Sequence, residues 1–154
     1  MPKLYLVRHA EPTLTGVLLG QSDPPIKGGK LKLPEGKVYT SALLRARQSA
    51  EGIIVPELNE ISYGEWDGRT WNEIEQRWPD LAKQKLANWT GVTPPGGEPW
   101  PDFRSRVLQV LIKLNGNVVI VAHQAVNAIV HSHLTEEDPL SFRQAYGEIN
   151  PYDY

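Results

Sequence analysis

The chain has 154 residues, 40% of them hydrophobic and 22% charged, a composition typical of an ordinary globular protein with one domain spanning residues 1–154. Its net charge of -2 argues against nucleic acid or an anionic membrane as a partner, and the absence of cysteine excludes disulfides, thiolate metal sites and a cysteine nucleophile. The opening residues, MPKLYLVRH, lack the apolar region of a secretory signal, and no apolar run has membrane-spanning length, so we expect a cytoplasmic protein.

Four short apolar runs are predicted to be strands: 4–7, 37–40, 53–55 and 117–123. The last run, NVVIVAH, is rich in β-branched residues and has the character of a strand buried on both faces of a parallel sheet. The final residues, YGEINPYDY, are compatible with a short edge strand, where Pro151 is tolerated.

Helical patterns lie between these strands, over 41–53, 102–116 and 125–134. Ser41 is placed to cap the first of them. Strands that alternate with helices predict a layered α/β domain. The Gly/Pro-rich stretches 20–30 and 93–101 are predicted to be loops, and long loops in a small domain are often functional.

Two of the predicted strands end in a histidine, in the sequences LVRH and IVAH. Ligands gather at the carboxyl ends of parallel strands, so the fold could bring His9 and His123 to one crevice. A single histidine at a strand end is more often structural, but two at matching ends point towards a site. Arg8 and His9 taken alone are more often a surface charge and its neighbour at a strand end than a site.

Charged residues in the middle of the chain supply further candidates. A helix start favours anions, and the helix beginning near Ser41 carries Arg45 and Arg47. Residues two apart point to different faces of a helix, so we expect one arginine to face inward and Arg47 to be solvated. In LNEISYGEWDG, Glu60 is a candidate proton donor, although the pattern alone does not choose it over the loop carboxylates Glu65 and Asp67, which we expect to face solvent.

The motifs LVRHAE, YTSALLRARQSAE, LNEISYGEWDG, PPGGE and VVIVAHQA occur in the order found in the histidine phosphatase superfamily, which has the phosphoglycerate mutase-like fold. The chain resembles this superfamily from Leu4 to Asn150, and most of all its small bacterial phosphatases of the α-ribazole phosphatase or broad-specificity type. The resemblance implies three layers, α/β/α, around a mostly parallel central sheet.

The resemblance also implies a role for each motif. His9 matches the nucleophile that becomes a phosphohistidine, and Glu60 matches the proton donor to the leaving oxygen. The phosphate would be held by three further residues: Arg8, Arg45 and His123. The substrate would be a small phosphorylated metabolite, with no metal or other cofactor. His131 and His133 point about 200° apart on a helix, which argues against a metal site there.

Four positions depart from the family pattern. Ala10 stands where glycine is usual, and is strained only if the backbone there is unusual. Thr15 and Gln124 replace the usual asparagine and glycine in the phosphate-binding region, and we keep both as possible phosphate ligands. Gln124 is also not the aspartate of the acid-phosphatase branch, which favours Glu60 as donor. Ala128 stands where members of the family commonly have an arginine.

The segment between Gly29 and Val38 is too short for the helix that relatives have there. The fold would therefore be shortened between its first two strands, with one face of the sheet either exposed or covered by a partner subunit. We accordingly expect that the chain could form a homodimer.

Hydrolysis of a phosphate monoester, such as α-ribazole phosphate or another small metabolite, is the leading interpretation. A phosphoglycerate mutase is the nearest alternative, but the stretch 69–89 is short and tryptophan-rich where mutases carry a longer, more basic insertion. The five tryptophans are expected mainly in packing, with one or two free to line a pocket for a flat leaving group. A non-catalytic pocket for phosphate compounds is the alternative of a different class.

Overall fold

A computed structural model describes residues 1–154, which form a five-stranded sheet with five α-helices. The strands are β1 (Lys3–Arg8), β2 (Lys37–Thr40), β3 (Ile53–Ile54), β4 (Val118–Ala122) and β5 (Ile149–Asp153). The helices are α1 (Leu44–Ser49), α2 (Trp71–Arg77), α3 (Pro79–Ala87), α4 (Trp100–Leu111) and α5 (Gln124–Thr135). Three short 3₁₀ helices occupy Pro56–Leu58, Gly64–Trp66 and Pro139–Ser141.

The strand order is β3-β2-β4-β1-β5, and only β5 runs antiparallel to its neighbour. β1 pairs in register with β4, Leu6 lying opposite Ile120, and β4 also pairs with β2. The carboxyl ends of β1, β2 and β4 therefore meet at one edge of the sheet. The predicted α/β class with a mostly parallel sheet is confirmed, and Pro151 lies on the edge strand β5 as expected.

The main core fills one face of the sheet. All five residues of β4 are buried, and the alternation of a strand sends Val118 and Ile120 to the same face as Leu4 and Leu6 of β1. Helices α4 and α5 cover this face with their own buried apolar side chains: Phe103, Val107, Leu111, Val126, Ile129 and Val130.

The other face of the sheet is covered by α1 and by coil. Val7, Val119 and Val121 point to this face and are fully buried. The segment between Gly29 and Val38 is short, as predicted, but Leu31 and Leu33 pack from it against these valines. The expectation that this face is exposed was therefore wrong, because the extended segment supplies the apolar side chains that a helix would supply.

Several helix boundaries differ from the predicted ones. α1 begins at Leu44, and Ser41 is not its cap, because the Ser41 hydroxyl is engaged with His123. α4 begins at Trp100, since a proline such as Pro101 is tolerated in a first turn.

Helices α2 and α3 lie in the tryptophan-rich stretch and were not predicted. The signals were present: Thr70 and Glu73 form a reciprocal capping box, and Pro79 opens α3. None of the helices has the length and apolar character needed to cross a bilayer.

Candidate active site

His9 follows β1 directly and lies at the carboxyl edge of the sheet. Its ring is 2% exposed, and its Nδ1 lies 2.7 Å from the carbonyl oxygen of Ala10. A carbonyl only accepts, so Nδ1 carries the proton and Nε2 keeps a free lone pair. Burial lowers the pKa of His9 to about 3, and the nearby charges of Arg45 and Arg8 act in the same direction. His9 is therefore a neutral imidazole at pH 7 with a nucleophilic nitrogen available.

His123 occupies the matching position after β4. The centres of the two histidine rings are 5.2 Å apart, and the Nε2 atom of His123 lies 2.7 Å from Ser41 Oγ. In the tautomer in which Ser41 donates to Nε2, the Nδ1 atom of His123 bears a proton, and this buried atom has no acceptor in the protein. Burial also lowers the pKa of His123 well below its ordinary value.

Arg8 and Arg45 are held in place by backbone carbonyls. Arg8 donates through Nη1 to the oxygen of Gln144 at 2.7 Å. Arg45 is buried and donates to the oxygens of Ser22 and Gly20 at 2.6 and 2.8 Å. These bonds leave the Nε atoms of both arginines buried without a partner.

Three buried nitrogen atoms beside His9 thus have no partner in the protein, and all three are N–H donors in the His123 tautomer just described: Arg8 Nε, Arg45 Nε and His123 Nδ1. An unpaired buried donor costs about 1–3 kcal/mol, so most native structures avoid it. Two of the three belong to guanidinium groups, which favour an anionic acceptor. The arrangement is that of a binding site for an oxyanion such as phosphate.

Glu60 lies at the same crevice and is 8% exposed. Its Oε1 accepts from the backbone N–H of Ile61 at 3.1 Å, and its Oε2 accepts from that of Ala125 at 3.2 Å. Burial raises the pKa of Glu60, although both hydrogen bonds and the charges of Arg45 and Arg8 oppose the shift. A carboxyl group with a raised pKa is suited to donating a proton.

A cavity of about 160 Å³ lies beside these groups. Of the seven predicted site residues, His123 does not line it and six do: Arg8, His9, Thr15, Arg45, Glu60 and Gln124. Thr15 lies on the same wall with an exposed side chain. We refer to Arg8, His9, Arg45, Glu60 and His123 below as the phosphate pocket.

Residues 30–151 match the histidine phosphatase superfamily, branch 1. The chain belongs to this superfamily. The adenosylcobalamin/alpha-ribazole phosphatase of Salmonella typhimurium is 28% identical over 159 residues, covering 86% of this chain and 79% of that protein. A crystal structure of phosphoglycerate mutase from Thermus thermophilus superimposes with a TM-score of 0.81 at 32% identity, covering 99% of this chain and 93% of that one.

A bifunctional protein of Mycobacterium tuberculosis is 33% identical over 103 residues, 66% of this chain. The match spans 27% of the length of that mycobacterial protein.

The structure explains two departures from the family pattern, those at Ala10 and Gln124. The only non-glycine residue with a positive φ angle is Glu136, so Ala10 is unstrained, and its N–H donates to Ser49 Oγ at 2.8 Å. Gln124 lines the cavity, but its amide donates to the oxygen of Phe142 and accepts from the N–H of Gln144. Gln124 therefore links α5 to the C-terminal segment.

In this chain the motif PPGGE supports the Glu60 loop. Glu98 of that motif pairs with Arg106 through two hydrogen bonds of 2.8 and 2.9 Å. Arg106 also donates to the backbone oxygens of three residues: Glu57, Asn59 and Glu60. All five guanidinium N–H groups are thereby used. We call this arrangement the Glu98–Arg106 clamp; the sequence showed the motif but not its partner on α4.

Tyr146 is a site residue that the sequence did not indicate. It lines the cavity, with its ring centre 4.2 Å from Arg8 Cζ and 5.6 Å from the ring centre of His9. No local pattern marks it, because it reaches the site only when the segment before β5 folds back over β1.

The two loop carboxylates behave differently. Glu65 is exposed as expected, but the expectation for Asp67 was wrong. Asp67 is half-buried and accepts from the N–H groups of Tyr63 and Gln21, and burial raises its pKa. It fills the space beside Gly20, where a Cβ atom would lie 1.8 Å from Asp67 Oδ1 and φ is +51°. This packing places the Gly20 carbonyl that holds Arg45.

Three further residues considered in the sequence lie outside the phosphate pocket: Arg47, His131 and His133. Arg47 is exposed, as expected. His131 lies 2.7 Å from the Tyr152 hydroxyl and 2.8 Å from a Glu137 oxygen. His131 and His133 form no cluster with other side chains of the kind that holds a metal ion.

Proposed function

We propose that this chain hydrolyses a phosphate monoester through a phosphohistidine on His9. The proposal depends chiefly on the three unpaired N–H donors grouped beside a neutral, buried imidazole. A site that only bound phosphate would need the donors but not a free nucleophilic nitrogen beside a carboxyl group of raised pKa. The names of the relatives support α-ribazole phosphate, or another small phosphorylated metabolite, as the substrate.

In the first step, His9 Nε2 attacks the phosphorus atom and the bond to the ester oxygen breaks. Glu60 gives its proton to that leaving oxygen, and the alcohol departs. Arg8, Arg45 and His123 donate hydrogen bonds to the phosphoryl oxygens, whose charge they stabilise during the transfer.

In the second step, water attacks the phosphohistidine. Glu60, now a carboxylate, takes a proton from the water, the nitrogen–phosphorus bond breaks, and inorganic phosphate is released. His9 returns to the neutral state with its Nε2 lone pair free. The same two side chains therefore serve both steps, with Glu60 first an acid and then a base.

A mutase is the second candidate, supported by the 32% identity to a phosphoglycerate mutase structure. A mutase must hold a carboxylate of its substrate while it excludes water. The surface beside the phosphate pocket carries Arg143 as its one charged residue and is otherwise mostly hydrophobic, which favours the phosphatase.

The test is hydrolysis of p-nitrophenyl phosphate between pH 5 and pH 8 in EDTA, with the variants His9→Ala and Glu60→Gln. We expect wild-type turnover in EDTA, loss of turnover in His9→Ala, and a loss of about 10²–10³-fold in Glu60→Gln. Radioactive phosphate from substrate should be recovered on His9 after rapid denaturation. No turnover on this or on a panel of natural esters would instead indicate a binding protein, and net transfer between phosphoglycerates would indicate the mutase.

A further inference from the structure

A second cavity adjoins the phosphate pocket. Its volume is about 410 Å³, within the range of about 300–1,000 Å³ that small-molecule sites occupy. Seven of its ten lining residues are hydrophobic, and the walls include Trp89, Trp100, Ala128 and Leu140. We call this cavity the aromatic cleft.

One end of the aromatic cleft lies close to Glu60, the proton donor of the proposed reaction. Tyr63, Gln124 and Ala125 line both the cleft and the smaller cavity beside the phosphate pocket. The N–H of Ala125 is also the group that binds Glu60 Oε2, at 3.2 Å. Because Glu60 protonates the leaving oxygen in the proposed reaction, the carbon attached to that oxygen would point into the cleft.

The main aromatic wall is held rigidly before any ligand binds. The Trp89 ring packs against Trp71 and Tyr63, with ring centres 6.0 and 6.4 Å away. The buried Lys85 donates to the carbonyl oxygens of Trp89 and Val92. A preformed wall loses little conformational entropy on binding, so apolar contact with it contributes more of its energy to affinity.

The charges of the cleft limit what it binds. Arg143, at an exposed position, is its one charged residue, and no carboxylate lines it. A cationic group would find no carboxylate, and a second phosphate would find only one cation. A flat, uncharged ring would pack against tryptophan and displace water from apolar walls.

We infer that the aromatic cleft is the subsite for the alcohol part of the substrate and selects an alcohol with a flat aromatic group. The inference rests on the proposed phosphatase activity and adds the class of leaving group. Ala128 lies in the wall with its side chain buried, so a larger residue there would occupy the space of the ring.

The experiment compares ethyl phosphate with 2-(2-naphthyl)ethyl phosphate. Both release a primary alcohol, so differences in kcat/KM report contacts of the ring and not leaving-group chemistry. We expect wild type to favour the naphthyl ester by at least about tenfold, and Ala128→Leu to reduce that preference about tenfold. Leu140→Gln, at a partly exposed position, should reduce it about threefold without altering the buried core.

Ala87→Leu is the matched control, because Ala87 is exposed and lines neither cavity. It should keep the wild-type preference. Equal kcat/KM for the two esters in wild type would overturn the inference, as would a preference that both Ala128→Leu and Leu140→Gln retain.

Calorimetry with ethylphosphonate and 2-(2-naphthyl)ethylphosphonate separates this inference from the proposed function, since neither compound can be hydrolysed. If neither ester turns over, the phosphatase proposal fails. Tighter binding of the naphthyl compound that Ala128→Leu weakens would still support the subsite. Equal affinity for the two phosphonates would overturn it.

Discussion

Two polar clusters, one partly buried and one buried, lie side by side in this molecule and are paired in opposite ways. In the Glu98–Arg106 clamp every N–H of Arg106 has an acceptor, whereas in the phosphate pocket Arg8 and Arg45 each keep a buried Nε without one. Most buried donors in a folded chain are paired, so two guanidinium groups with unpaired Nε atoms in one place support the proposed binding site. The clamp holds backbone, whereas the pocket keeps donors for the phosphate of the proposed reaction.

The largest effect that tests this comparison is expected from Arg45→Lys. Lysine keeps the charge, but its three N–H groups share one nitrogen and cannot span the two carbonyls and the pocket as the planar guanidinium does, so kcat/KM should fall about 10²–10³-fold. The measurement is steady-state hydrolysis of p-nitrophenyl phosphate. Arg47→Lys, two residues along the same helix and exposed, should keep wild-type activity. Similar losses in both variants would show that the inward direction of Arg45 is unimportant.

The clamp should show its effect mainly in stability. Arg106→Lys loses the two-point bond to Glu98 and the bonds to the Glu60 loop, and we expect the free energy of unfolding to fall by about 2 kcal/mol. Denaturant unfolding measures this. Lys3→Gln breaks the exposed pair between Lys3 and Asp153, whose side chains are 46% and 53% exposed, and should give no measurable change. Equal effects would mean that the clamp contributes no more than a surface ion pair.

Inorganic phosphate should stabilise the wild-type fold by supplying the acceptors that the pocket lacks. At a concentration ten times its Kd, binding to the folded state adds about 1.4 kcal/mol to the free energy of unfolding. Thermal unfolding with and without phosphate measures the shift, with sulfate-free buffer at constant ionic strength. Arg45→Lys should reduce the shift and Lys3→Gln should retain it. An undiminished shift in Arg45→Lys would place the phosphate elsewhere.

A further test concerns the pH dependence of stability. Burial raises the pKa of Glu60 in the folded state, so its stabilising contribution is complete below the pKa of the unfolded chain and is lost as the pH rises through the folded pKa. Glu60→Gln has no proton to lose. The free energy of unfolding of Glu60→Gln relative to wild type should therefore increase from pH 4 to pH 8 in denaturant titrations. A difference that is constant with pH would contradict the raised pKa.

The lowered pKa of His9 makes the free energy of unfolding depend on pH in the opposite direction. Its folded pKa of about 3 lies below that of an unfolded histidine, so the unfolded chain takes up a proton that the folded chain excludes. Wild-type stability should therefore decrease as the pH falls from about 6.5 towards 3.

Local pattern was sufficient wherever a property belongs to neighbouring residues. The apolar run of β4 and the alternation of strands with helices predicted the α/β class. The spacing of Arg45 and Arg47 predicted that only one of them faces inward, and the motifs indicated the superfamily. In these cases the periodicity of a strand or helix, or the order of motifs along the chain, carries the information.

Tertiary structure decided every pairing between distant residues. Ser41 looked like a helix cap and instead contacts His123, and Asp67 looked solvated and instead accepts from the N–H of Gln21 in a distant loop. Leu31 and Leu33 cover one face of the sheet, and no local sequence pattern predicted that they would. The partners lie tens of residues apart in the chain, and a polar side chain chooses among them by burial and geometry that exist only after the sheet and helices have packed. The sequence by itself therefore determined which elements form and which chemical groups are available, while packing determined which of those groups are paired and which are left free beside His9.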